Sequence, residues 1–135
     1  MKKRTFLICS AMFLGIGLYM GYRSNQITSE EWEEFNLHSK SLIRKLNRRD
    51  YAACIDTFDD SMRESMTTDR MAQVFDPPLN TLGSFYKFKG ITVQKKNPAI
   101  SDYNTCQVRC EYQNGQATFT VFLDKDYKVG GVYLE

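Results

Sequence analysis

The sequence contains little of the material from which catalytic and metal-binding sites are built. Its 135 residues include one histidine, His38, one tryptophan and four cysteines, and the first cysteine, Cys9, lies in an apolar run. Metal sites and serine–histidine relays depend on histidine, and a single one provides almost nothing for either. No catalytic or cofactor-binding motif stands out. We therefore expect no catalytic residue, no cofactor and no bound metal.

The chain also lacks a strong charge of either sign. Its 18 basic and 16 acidic residues give a formal net charge of +2. Three of the basic residues, Lys2, Lys3 and Arg4, form a short head at the N-terminus, and without them the net charge is −1. Nucleic-acid-binding domains carry an excess of basic residues on one surface. We therefore expect no nucleic-acid partner.

A long uncharged run follows the basic head. Residues 6–22 (FLICSAMFLGIGLYMGY) contain no charged side chain, and as a helix they would span about 26 Å, near the lower limit for crossing a bilayer. Because the basic residues precede the run, the N-terminus should lie in the cytoplasm and the rest outside. The sequence predicts a cytoplasmic head and membrane anchor in residues 1–23 and an extracytoplasmic domain in residues 24–135.

A cleaved signal peptide is the alternative interpretation of the same run. Cleavage requires small residues three and one positions before the cut. Gly15 and Gly17 meet this requirement loosely but would shorten the apolar run, and Tyr19 and Gly21 meet it less well. Cleavage would produce a secreted protein instead of a single-pass membrane protein. The anchor is the preferred interpretation.

Helical periodicity begins at Thr28. Thr28 and Glu31 have the spacing of a capping box, and acidic residues follow while basic residues collect before Asp50. This separation suits the helix dipole, so we interpret it as a solvated helix. Asp50 should cap a second helix running to Met62, and Thr68 a third. Pro77-Pro78 should stop or kink that third helix at Asp76, with one more turn before Gly83.

The last third of the chain alternates between apolar and polar residues, as β-strands do. Strands are predicted at residues 85–95, 103–113, 116–123 and 127–134, with a bend at Gly90 and a tight hairpin turn at Asn114-Gly115. The alternation gives strands 103–113 and 116–123 one apolar face, which the helices must cover. The predicted fold is therefore α+β, with helices on one face of a four-stranded antiparallel sheet.

The second face of this sheet is a candidate interface. Aromatic rings, amides and an arginine alternate with threonines there, a composition that suits a protein partner or a second copy of the chain. A simple β-rich exterior explains the threonines equally well. The candidate interface residues are Tyr86, Phe88, Gln107, Arg109, Thr120 and Phe122.

Three cysteines lie in the predicted domain. Cys106 and Cys110 are four residues apart on one strand, about 13 Å, which is too far for a bridge between them. Cys54 could face either of them, and an extracytoplasmic domain can form such a bridge. Buried thiols that act as small apolar groups are the preferred interpretation.

Three segments also resemble a known family. They are "LNRRDYAACIDTFDDSM", "TLGSFYKFKGITV" and "TFTVFLDKDYKVGGVYLE". Together they are similar to a small bacterial extracytoplasmic family of unknown function in the nuclear-transport-factor-two-like (cystatin-like) superfamily. The resemblance covers about residues 31–135 and implies a curved sheet wrapped around helices as a cone. The resemblance implies no catalytic residues in this sequence. The Pro77-Pro78 pair departs from the unbroken third helix of the family.

The sequence leaves two functions in competition. The preferred one is a membrane-tethered, non-enzymatic binding domain whose partner is an envelope protein or a second copy. The rival is a small cone enzyme or a cone that holds a small apolar ligand, because the fold alone does not decide function. The residues that would line such a pocket are Tyr51, Phe58, Cys106, Cys110 and Tyr112. Apolar side chains inside the cone argue against catalysis.

Overall fold

The computed structural model describes residues 27–135 and the backbone of residues 5–8. In this part of the chain there are four helices and five strands. The helices are α1 (Ser29–Asn47), α2 (Tyr51–Ile55), α3 (Asp60–Ser65) and α4 (Thr68–Leu82). The strands are β1 (Thr5–Ile8), β2 (Phe85–Gln94), β3 (Asn104–Tyr112), β4 (Gly115–Leu123) and β5 (Val129–Leu134).

The strands form one antiparallel sheet in the order β1-β5-β4-β3-β2. Strands β2 to β5 follow one another in the chain and in space, so they are a meander with short connections. The predicted α+β fold, helices followed by a curved four-stranded antiparallel sheet, is confirmed.

Strand β1 overlaps the first residues of the uncharged run, for which the sequence predicts a helix. Residues Thr5–Ile8 pair with β5, from Thr5 opposite Leu134 to Ile8 opposite Gly131. Strand β5 would otherwise present free backbone donors and acceptors on this side, and an extended segment satisfies them. Residues 9–22 of the apolar run lie outside the described residues. Within the described part, no helix has both the length and the apolar character needed to cross a bilayer.

The core lies between the helices and one face of the sheet. Helices α1 and α4 supply Leu42, Leu46 and Phe75, each at most 1% exposed, and the sheet supplies Phe119 and Val121, both fully buried. One continuous cluster joins these side chains. Burial of a large apolar side chain stabilises the fold by about 1.5–3 kcal/mol, so this contact holds the two layers together.

The helix starts follow the predicted capping signals with two changes. Thr28 and Glu31 form the capping box, and Asp50 caps α2. The predicted second helix is two helices, however, because the chain leaves α2 at Asp56 and Asp59 caps α3. Between them, Phe58 forms a parallel bridge with Val129 at the start of β5. The predicted third helix is α4, and it is capped by Thr67 instead of Thr68.

Helix α4 continues through Pro77 and Pro78, so it does not stop at Asp76, which was one of the two predicted outcomes. A proline within a helix removes one backbone hydrogen bond and crowds the preceding turn. Phe75 and Leu79, on either side of the pair, are buried in the core. Their packing holds this helical turn in place, and Gly83 ends the helix with a φ of 81°.

The β3–β4 turn is one residue earlier than predicted. Tyr112 pairs with Gly115, so the two turn residues are Gln113 and Asn114. Tertiary contacts fix this register. The backbone amide of Gln113 donates to the Ser84 carbonyl at 2.8 Å, and that of Asn114 donates to the Leu82 carbonyl at 2.9 Å. The turn is thereby fastened to the connection between α4 and β2.

The Tyr103 side chain attaches the loop before β3 to the rest of the domain. The Tyr103 hydroxyl donates to the Asp59 carboxylate at 2.6 Å, while Asp59 also caps α3. The ring covers Gly130 so closely that a Cβ atom there would overlap it. Gly130 is therefore required for this contact.

We expect Gly130→Ala to lower the free energy of unfolding by about 1–3 kcal/mol, because the added methyl group displaces the Tyr103 ring. Chemical unfolding of Gly130→Ala, Tyr103→Ala and the double variant measures the effect. In the Tyr103→Ala background the alanine should cost much less. An equal cost in both backgrounds would show that Tyr103 is not the obstacle.

Candidate functional site

Two irregularities in β2 change the predicted interface. The pairing of β2 with β3 shifts between Phe85 and Lys87 and again between Phe88 and Gly90. Each shift reverses the direction in which the following side chains point. Phe88 consequently pairs with Cys110 on the helix side, where Lys40 and Arg44 lie 5.1 Å from its ring centre. The placement of Phe88 on the outer face was therefore wrong.

Two further interface candidates are on the predicted face but are not exposed. Thr120 is 3% and Phe122 1% exposed, and the Phe122 ring lies 5.9 Å from that of Tyr133. Neither side chain is therefore accessible at the surface of the structure. Tyr86 (60% exposed) and Arg109 are accessible, and Gln107 is half-buried. The candidate interface residues that remain accessible therefore all lie on β2 and β3.

The predicted pocket residues all lie in the packed core. Tyr51, Phe58, Cys106, Cys110 and Tyr112 are between 0 and 6% exposed and belong to the same apolar cluster. The structure brings them together as packing residues, and none of them lines the cleft described below. The interior of the sheet is filled because α1, α2 and α4 insert their apolar side chains there.

The three thiols are free and buried. Cys54, Cys106 and Cys110 form no disulfide and are fully buried. Burial raises the pKa of each thiol from 9.0 to about 12, because the apolar surroundings disfavour the thiolate. Since the thiolate is the reactive form, these side chains are chemically inert in the folded protein.

Two of the core tyrosines reach a polar network at the edge of the core. The Tyr51 hydroxyl donates to Asp76 Oδ1 at 2.5 Å, and the Tyr112 hydroxyl donates to Asn47 Oδ1 at 2.6 Å. Burial raises the pKa of both tyrosines well above its usual value, and the Asp76 carboxylate adds to the effect on Tyr51. Both hydroxyls therefore remain donors at any physiological pH.

Arg49 occupies an unusual position at the end of α1. The Arg49 amide donates to the Leu46 carbonyl and the Asp50 amide to the Lys45 carbonyl, both at 3.0 Å. This is the Schellman pattern that ends many helices, and its residue of positive φ is usually glycine. Arg49 has a φ of 60°. A strained backbone at a large side chain is a feature that structures concentrate at functional sites.

The Arg49 side chain is held by three groups. Its guanidinium donates to the Asn47 carbonyl and to Asn80 Oδ1, each at 2.8 Å, and its Nε lies 3.6 Å from Asp76 Oδ1. These contacts link the end of α1 to α4. They offset the backbone strain and fix the guanidinium at the mouth of a cleft.

The cleft lies where α1 and α4 end and β2 begins. Its volume is about 380 Å³, within the range of small-molecule sites. It is wide open to solvent on one side. The lining residues are Asn47, Arg49, Leu79, Asn80, Gly83, Ser84, Phe85 and Gln113.

The three side-chain amides in this cleft all use their oxygen as a hydrogen-bond acceptor. The oxygen of Asn47 accepts from Tyr112, that of Asn80 from Arg49, and that of Gln113 from the Ser84 amide at 3.4 Å. Their NH₂ groups are consequently left as donors. The Asn47 Nδ2 is buried and has no partner. Together with the Arg49 guanidinium, the cleft has a surplus of hydrogen-bond donors.

The sequence pattern does not indicate this site. Arg49 is one of the basic residues that collect before Asp50, and Asn47, Asn80 and Gln113 belong to no motif. One signal was available, since α1 ends just before the Asp50 cap without any glycine in the Arg48-Arg49-Asp50 stretch. The alignment of the three amides depends on contacts between distant segments, so no sequence signal could have shown it.

The remaining chemistry-bearing side chains have structural roles. His38 Nε2 lies 3.2 Å from Glu34 Oε1, and the His38 ring stacks on Tyr127 at 5.0 Å. Tyr127, with a φ of 62°, is the other non-glycine residue of positive φ in the described part, and its ring also packs on Phe35. Among the described residues, no group of three His, Cys, Asp or Glu side chains could hold a metal ion.

The raised thiol pKa values predict a loss of stability at alkaline pH. Between pH 9 and 12 the unfolded thiol releases its proton while the folded thiol keeps it, so the free energy of unfolding falls as pH rises. We expect the stability difference between wild type and Cys110→Ala to shrink by about 1–2 kcal/mol between pH 8.5 and 10.5. Urea unfolding at both values measures it. A constant difference would contradict the assigned pKa.

Comparison with known proteins gives a family but no characterised relative. The family model described as "Protein of unknown function (DUF3887)" matches residues 39–132. This match includes the last nine residues of α1, all of α2 to α4 and the meander up to Val132. Searches of curated proteins and of solved structures produced no match. The chain therefore belongs to the DUF3887 family of proteins of unknown function.

Proposed function

We propose that this chain is a membrane-tethered, extracytoplasmic binding domain without catalytic activity. Its cleft between α1, α4 and β2 would bind a carboxylate. The observation that carries the proposal is that the Asn47, Asn80 and Gln113 amides, beside the Arg49 guanidinium, all use their oxygens as acceptors and so leave their NH₂ groups as donors. Donors of this kind match the oxygens of a carboxylate, and charge assistance from arginine strengthens such hydrogen bonds.

The unpartnered Asn47 Nδ2 gives the strongest support for a ligand. A buried donor without a partner costs about 1–3 kcal/mol. Asn47 lines the cleft, so a carboxylate oxygen that displaced the atoms covering Nδ2 would supply the missing acceptor and recover that free energy on binding. Phe85, which is half-buried, offers apolar contact in the cleft, so the ligand would combine a carboxylate with a small apolar group.

Two sources could supply this carboxylate. One is the C-terminus of an extracytoplasmic protein, which agrees with the preferred interpretation of the sequence. The other is a free small molecule, which corresponds to its rival. The wide mouth of the cleft favours the protein, because a chain end can enter while the rest of the partner stays outside.

Several features argue for binding over catalysis. The thiols are buried with raised pKa values, and Asp59 is committed to a helix cap and to Tyr103. Asp76 is committed to Tyr51 and Arg49. A general acid or base must reach its substrate with a free proton-transfer atom, and these groups are engaged in holding the fold.

The membrane tether is proposed from the uncharged run of residues 6–22 and the basic head before it. Residues 9–22 alone would span only about 21 Å as a helix, which is short for a bilayer. A spanning helix therefore needs Phe6, Leu7 and Ile8, and these cannot stay in β1 at the same time. Releasing a four-residue edge strand gives up only a few hydrogen bonds, each worth about 1 kcal/mol. Insertion of these residues into the bilayer as part of a helix should therefore be favoured over their pairing in β1.

The superfamily assignment also stays a proposal. Helices that precede a curved antiparallel meander agree with the nuclear-transport-factor-two-like (cystatin-like) superfamily. In this chain the interior of the sheet is filled with apolar side chains, and the proposed binding site lies at the end of the helices instead.

Protease treatment of cells stripped of their wall tests the tether. We expect degradation of residues 24–135 while the head remains protected, because positive charges keep it in the cytoplasm. Mass spectrometry of the membrane fraction identifies the surviving peptide. Protection of the whole domain would reverse the orientation, and a mature chain that begins near residues 21–24 would show signal cleavage.

The variant Arg49→Gly tests the cleft. Glycine accepts a φ of 60° without strain, which should balance the lost side-chain contacts and keep stability within about 1 kcal/mol of wild type. Binding of a carboxylate should fall at least about tenfold, since the charged donor is gone. The exposed neighbour Arg48, which does not line the cleft, provides the control variant Arg48→Ala.

The probes are acetyl-Ala-Ala with a free carboxylate, the same peptide as its C-terminal amide, and succinate, titrated into the full chain and followed by NMR. Binding of the free peptide alone supports a protein C-terminus as the source. Binding of succinate as well supports a small molecule. Equal binding of the peptide and its amide, or an unchanged affinity in Arg49→Gly, would refute the carboxylate site.

A further inference from the structure

The outer side of α1 carries charges that its own fold does not use. Glu30, Glu33, Arg44 and Arg48 are all exposed. Within residues 27–135, Glu30, Glu33 and Arg48 form no ion pair, and Arg44 only approaches the Phe88 ring. The other acidic side chains of α1 are engaged, Glu31 with Lys95 and Glu34 with His38.

These four charges lie on one stripe of the helix. Successive residues are separated by three, eleven and four positions, which brings all of them near one side at 3.6 residues per turn. The buried residues Phe35, Ser39, Leu42 and Leu46 occupy the opposite side. Leu37, 56% exposed, lies on the charged stripe between the two acidic and the two basic residues.

The stripe is complementary to itself in the antiparallel direction. Its midpoint lies close to Ser39, with Glu30 and Arg48 each nine positions away and Glu33 and Arg44 five or six. When two such helices cross in opposite directions at this midpoint, Glu30 faces Arg48 of the second copy and Glu33 faces Arg44. The same contacts recur by two-fold symmetry, as in an isologous dimer. A parallel pair would place like charges together.

We propose that α1 is a homodimer interface, in which the outer stripes of two copies pack antiparallel. Leu37 from each copy lies near the centre and supplies apolar contact, while the charges set direction and register. The contact is small and is screened by salt, so the dimer is weak in dilute solution. Confinement to a membrane would raise the effective concentration of the copies and populate it. This surface is separate from the cleft, so it does not depend on the carboxylate site.

Matching of charges to the helix dipole explains the same pattern without a dimer, and the two explanations differ in their consequences. The dipole depends only on which end of the helix carries which charge. The dimer depends on the charges of the second copy. A reversal of all four charges therefore opposes the dipole but preserves complementarity between two identical copies.

Three charge-swapped forms of the full chain test the proposal. The first is Glu30→Lys with Glu33→Lys, the second Arg44→Glu with Arg48→Glu, and the third combines all four changes. Sedimentation in a mild non-ionic detergent, at a protein concentration high enough to populate a weak dimer, gives the oligomeric state at low and at high salt. Lys125→Glu with Asp126→Lys, on exposed positions of the β4–β5 turn, is the matched control.

We expect wild type and the control to form dimers that weaken at least about tenfold between 0.05 and 0.5 M salt. The first and second forms should each be monomeric but should form a heterodimer when mixed. The fourfold form should dimerise with itself, although its helix is less stable. Monomeric wild type at low salt, or dimers that survive both twofold swaps, would overturn the proposal. Circular dichroism confirms that each form is folded.

Discussion

The whole domain depends on covering one face of the meander. Strands β3, β4 and β5 direct Val108, Phe119, Val121 and Val132 to the same side, and all four are fully buried. Apolar surface of this extent must be removed from water, and α1 and α4 are the only long helices of the described residues that can remove it. The positions of the caps, loops and cleft follow from where these two helices must lie.

Local strain marks the places where this packing overrides the preferences of the chain. Arg49 has the backbone conformation of a glycine, and Pro77-Pro78 lies within α4. Each conflict is compensated by tertiary contacts, in the first case through Asn80 and Asp76 and in the second through buried Phe75 and Leu79. The contacts that compensate the strain at Arg49 also hold the ends of α1 and α4 close together. The donor-rich cleft is formed between those ends.

Charge also has two separate roles in this domain. Within the fold, ion pairs such as Glu31–Lys95 join α1 to the segment after β2. Outside it, the exposed charges of the stripe from Glu30 to Arg48 form no ion pair within the described residues, and Arg49 lines the cleft.

The sequence by itself determined the order of the elements and the inner face of the sheet. Capping residues at Thr28 and Asp50, the alternation from residue 103 onwards and Gly83 each act locally, and local signals survive in the fold. The tertiary structure alone decided the face of Phe88, the split at Asp59, the passage of α4 through its prolines and the register of the Gln113-Asn114 turn. These depend on bulges and on contacts between distant segments. The cleft belongs to the same class, because its amides are oriented by Tyr112, Arg49 and Ser84, which come from three different parts of the chain.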